Sequence, residues 1–567
     1  MDYNPLFNIA EICAAHGVND AILSPGSRNA PLTLIFSRNN KIKTYTISDE
    51  RSAAFIGLGM AVKSNKPVVL ACTSGSAALN YAPAVAEAYY QHLPLIIFTA
   101  DRPPEWIDQL DGQTIRQDNI YGKHIKRSFN CPIDTSHDDA KWHLERIVNE
   151  ALLIATSGQK GPVHINIPFR EPFYPSKNQK SSTKAPKIIR KLNSTSTLDE
   201  FDWVSLVDDW SSSESKLILG GQANLNESAR EVIGEFANNK NIPLIGDVLS
   251  NLHSLPNTIT LADSFLSVQS KEVKKALRPD LLISFGNSTI SKNLKLFLRE
   301  FKPKHHWHIQ ADGDTADTFQ SLTKIIPVDP LTLFQSIDSI AAKSSTAYID
   351  RWNSLQKKTK AVIPEFTGAQ KFNEFSAFYA IFDNLPLACD IHLANSMPVR
   401  WANMYGLDHT RQQVGIFSNR GTSGIDGCTS TAVGAAIKSD KTTLLITGDM
   451  AFFYDRNAFW NKYIPDNLRI IVLNNHGGGI FDLIDGPSSQ PEHEEYFLTE
   501  QNLSPKALAE EFELKYYHCQ SVEGLSNGLD KFWVRDGTAK ILEIETDIKT
   551  NTRIFKKLKR ELKNTLN

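Results

Sequence analysis

The sequence predicts an α/β protein of three doubly wound, parallel-sheet domains, and three observations carry that expectation. The chain has 567 residues, too many for one hydrophobic core. Two polar stretches divide it. Residues 175–200, "PSKNQKSSTKAPKIIRKLNSTSTLDE", are rich in Ser, Thr, Lys and Asn and have the composition of an exposed linker. Residues 341–360, "AAKSSTAYIDRWNSLQKKTK", read as a polar connecting helix. The domains are therefore expected at 1–180, 200–340 and 350–567. Inside each block, short β-branched runs alternate with helix-length stretches, as parallel strands joined by crossover helices require.

Taken in order, the opening "MDYNPLFNIAEICAAHGV" has an early acid and no basic leader, so it reads as a first helix and not as a signal peptide. "PVVLACTSG" (67–75) is a strand running into a tight turn. A small-residue helix follows, "SAALNYAPAVAEAYYQ" (76–91), and then the strand that starts "PLIIFTADRP" at 94. The middle block holds "KLILGGQANL" (216–225), "IPLIGDVLSNL" (242–252), "PDLLISFGNSTIS" (279–291) and "HHWHIQADGD" (305–314), again strands followed by loops. It has no well-placed G-x-G-x-x-G, so a mainly structural role is expected for it. In the third block "TTLLITGD" (442–449) is a strand, a helix is expected over about 455–463, and "LRIIVLNN" (468–475) is the next strand. The first and third blocks thus repeat one unit: buried strand, Gly-bearing turn, crossover helix, buried strand.

Composition excludes several functions. A net charge of −2 gives nucleic acid and anionic membranes nothing to recognise. No apolar run is long enough to span a bilayer. The six cysteines (13, 72, 131, 389, 428, 519) show no C-x-x-C spacing, which argues against a disulfide framework or a zinc site. A cytoplasmic protein is expected.

The chemistry concentrates where the third block's strands end. Asp449 closes "LLITGD", and Asn475 stands in "LNNHGGGIFD" about 25 residues later. Open α/β sheets keep their ligands at such strand ends. Mg²⁺ takes six oxygens in octahedral geometry, using one or two carboxylates and filling the rest from phosphate and water. Asp449, the Asn475 side chain and the Gly477 carbonyl could supply three of them, glycine letting the backbone turn toward the ion. Nearby backbone N–H groups would favour a diphosphate. Taken alone, the pattern leaves a second reading open, an Asp capping a helix beside an Asn turn.

Gly448-Asp449 followed by Asn474-Asn475 resembles the motif by which thiamine-diphosphate enzymes hold a divalent ion and the cofactor's diphosphate, with Met450 where a second glycine is usual. Such an enzyme also needs a carboxyl group on a pyrimidine ring nitrogen, in an apolar pocket that raises its pKa. Glu50 in "ISDERSAAFIGLGMAV" is the candidate. A bulky apolar wedge must bend the cofactor, and Ile425 in "NRGTSGIDGCTSTAVGAA" offers one, with the Ser423 carbonyl as an acceptor.

"SPGSRNAPL" (24–32), "DERSAAF" (49–55), "TSGSAALNYAPAVAEA" (73–88), "TADRPPE" (99–105), "NSMPVR" (395–400), "NRGTSGIDG" (419–427) and "NNHGGGIF" (474–481) together resemble the MenD family of menaquinone-pathway synthases. The resemblance implies three domains of the thiamine-diphosphate enzyme type: pyrimidine-binding, central and diphosphate-binding. It also implies a transferase-type carboligase that joins 2-oxoglutarate, after loss of CO₂, to isochorismate. The cofactors implied are thiamine diphosphate and Mg²⁺, or Mn²⁺ in its place. Gly448, Asp449, Met450, Asn475, Gly477 and Ile480 would line the cofactor, with Glu50 from a partner subunit, in a homodimer or a dimer of dimers. Ser27, Arg28, Arg102, Gln113, Lys292, Ser396, Arg400, Arg420 and Phe481 would meet substrate. Each substrate carries two carboxylates, and arginine forks suit them. Lys292 lies in the divergent block and is followed by Asn293, where some relatives have arginine. An acetolactate-synthase-like enzyme is the alternative, but it would not need four loop arginines.

Overall fold

The computed structural model describes residues 3–566 apart from 172, 178, 180, 193–196, 340 and 485. The boundaries expected at 180 and 340, and positions 178, 180 and 193–196 of the expected linker, lie outside the described residues.

Three wholly parallel sheets organise the chain. The first contains β1 (Asp20–Leu23), β2 (Lys43–Thr46), β3 (Val68–Cys72), β4 (Leu95–Asp101), β5 (Ser128–Asn130) and β6 (Val163–Pro168), in the order β2-β1-β3-β4-β6-β5. The second contains β7 (Lys216–Gly220), β8 (Leu244–Gly246), β9 (Leu281–Phe285), β10 (His305–Ile309) and β11 (Lys324–Ile326), in the order β11-β10-β9-β7-β8. The third contains β12 (Cys389–Leu393), β13 (Val414–Phe417), β14 (Thr442–Gly448), β15 (Leu468–Asn474), β16 (Lys515–Cys519) and β17 (Lys540–Glu545), in the order β13-β12-β14-β15-β17-β16. Counted within its own sheet, the third repeats the strand order of the first. Central strands β3, β4 and β15 are buried along their whole length, which is why they read as unbroken apolar runs.

The first and third sheets share one apolar cluster, to which Ile22, Phe55 and Leu70 contribute from one side and Val433, Phe452 and Ile470 from the other. At its centre the helix Glu50–Ser64 crosses the helix Cys428–Ile437 backbone to backbone. A Cβ on Gly59 would lie 1.9 Å from the Thr431 carbonyl oxygen, and one on Gly434 would lie 1.9 Å from that of Ile56. Only glycine fits either place. The lysine that ends each helix reaches a buried carboxylate at the start of the other sheet's first strand. Lys63 Nζ lies 2.5 Å from Asp390 Oδ2, and Lys438 Nζ lies 2.9 Å from Asp20 Oδ2. The two units therefore face each other about a local two-fold.

One expected element is corrected. The helix after β14 begins at Asp449 and ends at Tyr454, and a 3₁₀ turn, Arg456–Phe459, occupies part of the stretch expected to be helical. Asp449 is thus the first residue of the helix and not part of a loop ahead of it. The helix Thr346–Gly368 covers the connector, and the helix Asn4–Ala15 covers the N-terminal expectation. Among the described residues no helix is long and apolar enough to cross a membrane.

Candidate active site

The third sheet's topological switch point lies between β12 and β14, and the expected cofactor residues gather at the C-terminal ends of these strands and of β15. Asp449 is 2% exposed. Burial pushes its carboxyl up to about 6 against a hydrogen bond donated by Gln501 Nε2 at 2.7 Å. Gly448 holds the cap position and Asp449 is the first residue of the helix, where the N–H groups of Met450 and Asp449 pull its carboxyl back down. The adjacent asparagines divide their work. Asn474 is fully engaged, donating to Glu543 Oε1 at 2.6 Å and to the Leu503 carbonyl at 3.0 Å, while its own oxygen accepts from His476 N at 3.2 Å and Gln501 Nε2 at 3.3 Å. Asn475 donates its NH₂ to Glu374 Oε1 at 2.6 Å, yet its buried Oδ1 accepts nothing. An orphaned amide oxygen near a buried carboxylate suits a hard cation. The space over the Gly448 Cα is open, as an approaching anion would need.

The glycine loop is held close to its neighbours. A Cβ on Gly477 would lie 2.7 Å from the Leu498 carbonyl, and one on Gly478 would lie 2.8 Å from that of Phe497. The Gly477 carbonyl already accepts from Gly479 N at 2.9 Å, so it has one lone pair left. His476 is bonded locally, its Nε2 lying 3.1 Å from Glu545 Oε1. Ile480 and Phe481 follow in a 3₁₀ turn, with the Phe481 ring 5.8 Å from that of Phe497. Ser423 sits at φ 64°, and Ile425, expected to be the wedge, is 36% exposed and not a core residue. Gln113 (φ 54°), Ser396 (φ 72°), Ser423 and His476 (φ 65°) are all non-glycine residues in the left-handed region, a strain that collects at functional sites.

The "NRGTSGIDG" loop is fastened to the first unit by Glu87, which the sequence reading did not single out. Its buried carboxylate accepts from Gly421 N at 2.8 Å, Thr422 N at 2.6 Å and Thr422 Oγ1 at 2.6 Å. A lone acid inside the apolar helix Ala82–Gln91 was the available signal.

In the first unit, candidates again sit beyond strand ends. Glu50 opens the helix capped by Asp49, whose Oδ1 accepts from Arg51 N and Ser52 N. Burial raises the Glu50 carboxyl above its ordinary value, as its expected role requires, and the adjacent Asp49 adds to the shift. Arg28 is buried, donates to the Phe169 carbonyl at 2.7 Å, stacks on Phe173 and leaves Nε unpaired. Arg102 donates to the Gly112 carbonyl at 2.7 Å and pairs with Asp111 at 3.2 Å. Ser27 and Gln113 are exposed.

Cations cluster where the second and third units meet. Arg420 donates to Asn395 Oδ1 at 2.8 Å and leaves a buried Nε unpaired. Arg400 donates to the Ser396 carbonyl at 2.6 Å. Burial, and then Arg420, hold both the Arg400 guanidinium and the Lys295 ammonium below their ordinary values, while Asp247 and Asp263 pull Lys295 back. Lys292 is exposed, with no side-chain hydrogen bond or ion pair among the described residues. Asn293 bonds Asp263 through its backbone N at 3.0 Å and its side chain at 3.1 Å, which fixes the start of that helix. Lys295, one turn on, is a further cation near Arg420.

No hydrogen bond or ion pair links Glu50 with Asp449 or Asn475 among the described residues.

Fold and strand-end chemistry define a class. Residues 7–121 match the family described as thiamine pyrophosphate enzyme, N-terminal TPP binding domain, and residues 183–392 match the middle domain of thiamine pyrophosphate enzymes. Whole-length relatives narrow this. The chain is similar to 2-succinyl-5-enolpyruvyl-6-hydroxy-3-cyclohexene-1-carboxylate synthase of Cytophaga hutchinsonii, at 48% identity over 558 residues covering 98% of each chain. It is 39% identical to the Flavobacterium johnsoniae enzyme of that name, over 98% of each chain, and 35% identical to that of Bacteroides thetaiotaomicron, over 99% of each. The chain belongs to this family of synthases, the MenD family of thiamine-pyrophosphate enzymes.

Proposed function

We propose that the protein releases CO₂ from 2-oxoglutarate and joins the remaining four-carbon unit to isochorismate, as a cytoplasmic enzyme of menaquinone synthesis. The units of the machine are residues 1–180 for the pyrimidine, 350–567 for the diphosphate, and 200–340 between them. The observation that carries the reading is the unpaired Asn475 oxygen near buried Asp449, with the Arg400, Arg420 and Lys295 cations gathered in the same unit and its neighbour.

Asp449, Asn475 and the free lone pair of the Gly477 carbonyl would hold Mg²⁺, with Mn²⁺ as a substitute. Ser423, Ile425, Gly448, Met450 and Ile480 would line the cofactor. When bound, thiamine diphosphate supplies the nucleophilic carbon and the electron sink for decarboxylation and carbon–carbon bond formation. Glu50, whose carboxyl burial raises above its ordinary value, holds or releases a proton at the pyrimidine ring nitrogen. Arg28, Arg102, Arg400 and Arg420, assisted by Ser27, Gln113 and Ser396, orient the substrate carboxylates through charge-assisted bonds worth about 1.5–3 kcal/mol each. Lys295 replaces Lys292 in this assignment. Phe481 supplies an apolar wall that excludes water.

We infer that Glu50 of one copy meets the Asp449–Asn475 pair of a second, so that the working unit is a homodimer or a dimer of dimers. The test is product analysis. Protein given Mg²⁺, thiamine diphosphate, 2-oxoglutarate and isochorismate yields the succinylated cyclohexene product by mass. Replacing 2-oxoglutarate with pyruvate yields none. An acetolactate-type product from pyruvate would overturn the assignment.

A further inference from the structure

Asn475 carries an ambiguity that its position alone does not resolve. An amide presents either its oxygen or its NH₂ group, and only the oxygen can ligate a cation. Something must hold the NH₂ turned away.

That element is Glu374. The capping box of Asn373 and Ser376 fixes the start of the helix Glu374–Asp383, which places Glu374 at its first position, 2% exposed. One carboxylate oxygen, Oε1, accepts from Asn475 Nδ2 at 2.6 Å, and the other, Oε2, accepts from Trp401 Nε1 at 2.9 Å. Trp401 is 1% exposed, and an indole N–H can only donate. Among the described residues no Lys, Arg or His pairs with Glu374. A buried carboxylate without a counter-charge is costly; Glu374 is in that condition and feels the charge of Asp449, whose own carboxyl burial pushes up although His476 pulls it back. A divalent ion beside Asn475 would neutralise both.

We propose that Glu374 is a positioning residue: anchored on Trp401, it holds the NH₂ group of Asn475 so that the amide oxygen is the only face offered to the divalent cation. The inference rests on the reading of Asp449 and Asn475 as cation ligands. It makes an asymmetric demand on substitutions. Glutamine at 374 has a single acceptor oxygen. Trp401 cannot turn into an acceptor, so it claims that oxygen and leaves the glutamine NH₂ facing Asn475. Asn475 must then flip, offering its oxygen to residue 374 and its NH₂ to the cation. Removing the indole N–H frees the glutamine to rotate and restores the first arrangement.

The experiment measures Mn²⁺ affinity by electron paramagnetic resonance on cofactor-stripped protein resupplied with thiamine diphosphate. Glu374→Gln weakens Mn²⁺ about 10–100-fold, the usual cost of losing a group that orients a metal ligand. Trp401→Phe alone stays within a few-fold of the parent. The Glu374→Gln/Trp401→Phe pair binds more tightly than Glu374→Gln alone, although it removes more from the core. A variant that simply fails to fold cannot produce that rescue. Two outcomes overturn the proposal: Glu374→Gln binding like the parent, or the double variant binding no better than Glu374→Gln. Asp449→Ala separates the two readings. If it retains Mn²⁺, the ligand assignment itself is wrong. If it loses Mn²⁺ while Glu374→Gln does not, only the role of Glu374 falls.

Discussion

Gly59→Ala tests how tightly the position of Glu50 depends on the crossing of two helices. The new Cβ would start 1.9 Å from the Thr431 carbonyl oxygen and 2.9 Å from Ala435 N, both backbone atoms of a fully packed helix. Ordinary contact begins at 3.4 Å, so the helices must part by about 1.5 Å or tilt. Overpacking costs about 1–3 kcal/mol, and a backbone wall puts this site at the upper end. For domains of this size that is a drop of about 5–10 °C in melting temperature. Glu50 begins the same helix, and a shift of about 1 Å at a catalytic group can cost about 10²-fold in turnover. The control is Gly57→Ala on the same helix, where the added methyl meets only the Cδ2 end of Leu70 at 2.6 Å. A side-chain terminus can rotate away, and alanine's helix propensity offsets part of the strain. Thermal melting and steady-state turnover are measured on both variants. If Gly59→Ala melts and turns over like the parent, the backbone crossing does not set the position of Glu50.

Three further outcomes follow from the same geometry. Glu50→Gln retains cofactor in a binding titration but loses about 10²–10⁴-fold in turnover, and a variant as fast as the parent removes Glu50 from the proton path. Lys295→Ala raises the KM for a dicarboxylate substrate about tenfold with a smaller change in kcat, while Lys292→Ala leaves both near the parent; the reverse pattern would return the role to Lys292. Burial pushes Asp455 up to about 7 although Ser430 N and Oγ donate to it at 2.6 and 2.8 Å. An unfolded Asp titrates near about 3.9, so the folded state holds the extra proton between these values. The stabilisation is complete below about pH 4 and is lost as pH climbs toward about 7. Asp455→Asn, neutral throughout, therefore gains melting temperature relative to the parent as pH rises through that window, and a constant gap would contradict the assignment.

Much of the fold was legible because buried parallel strands write themselves as continuous apolar runs. β3, β14 and β15 fall where "VVLAC", "TTLLITG" and "LRIIVLN" stand. The repeat of first and third units was legible as a recurring strand, turn, helix and strand. The start of the helix at Asp449 was not, because its first turn is set by what packs around β14 and not by a capping residue in the local sequence. The candidate residues were visible as motifs at strand ends, but their supporting groups were not. Glu374 lies 101 positions from Asn475, and Glu87 lies 334 from Gly421. Nothing local in either stretch names its partner. Lys295 stands one turn after Lys292 in "STISKNLK", and its nearness to Arg420 comes from the fold and not from the local sequence.

The central claim is that each centre is built from Glu50 of one chain and the Asp449–Asn475 pair of another. Subunit complementation reads this directly. Glu50→Gln and Asp449→Ala chains, each inactive as a homodimer, are co-expressed with different tags and the mixed dimer is isolated. The account predicts one native centre per mixed dimer and about half the parent's turnover. A mixed dimer as inactive as its parents would place both groups within one chain and contradict it.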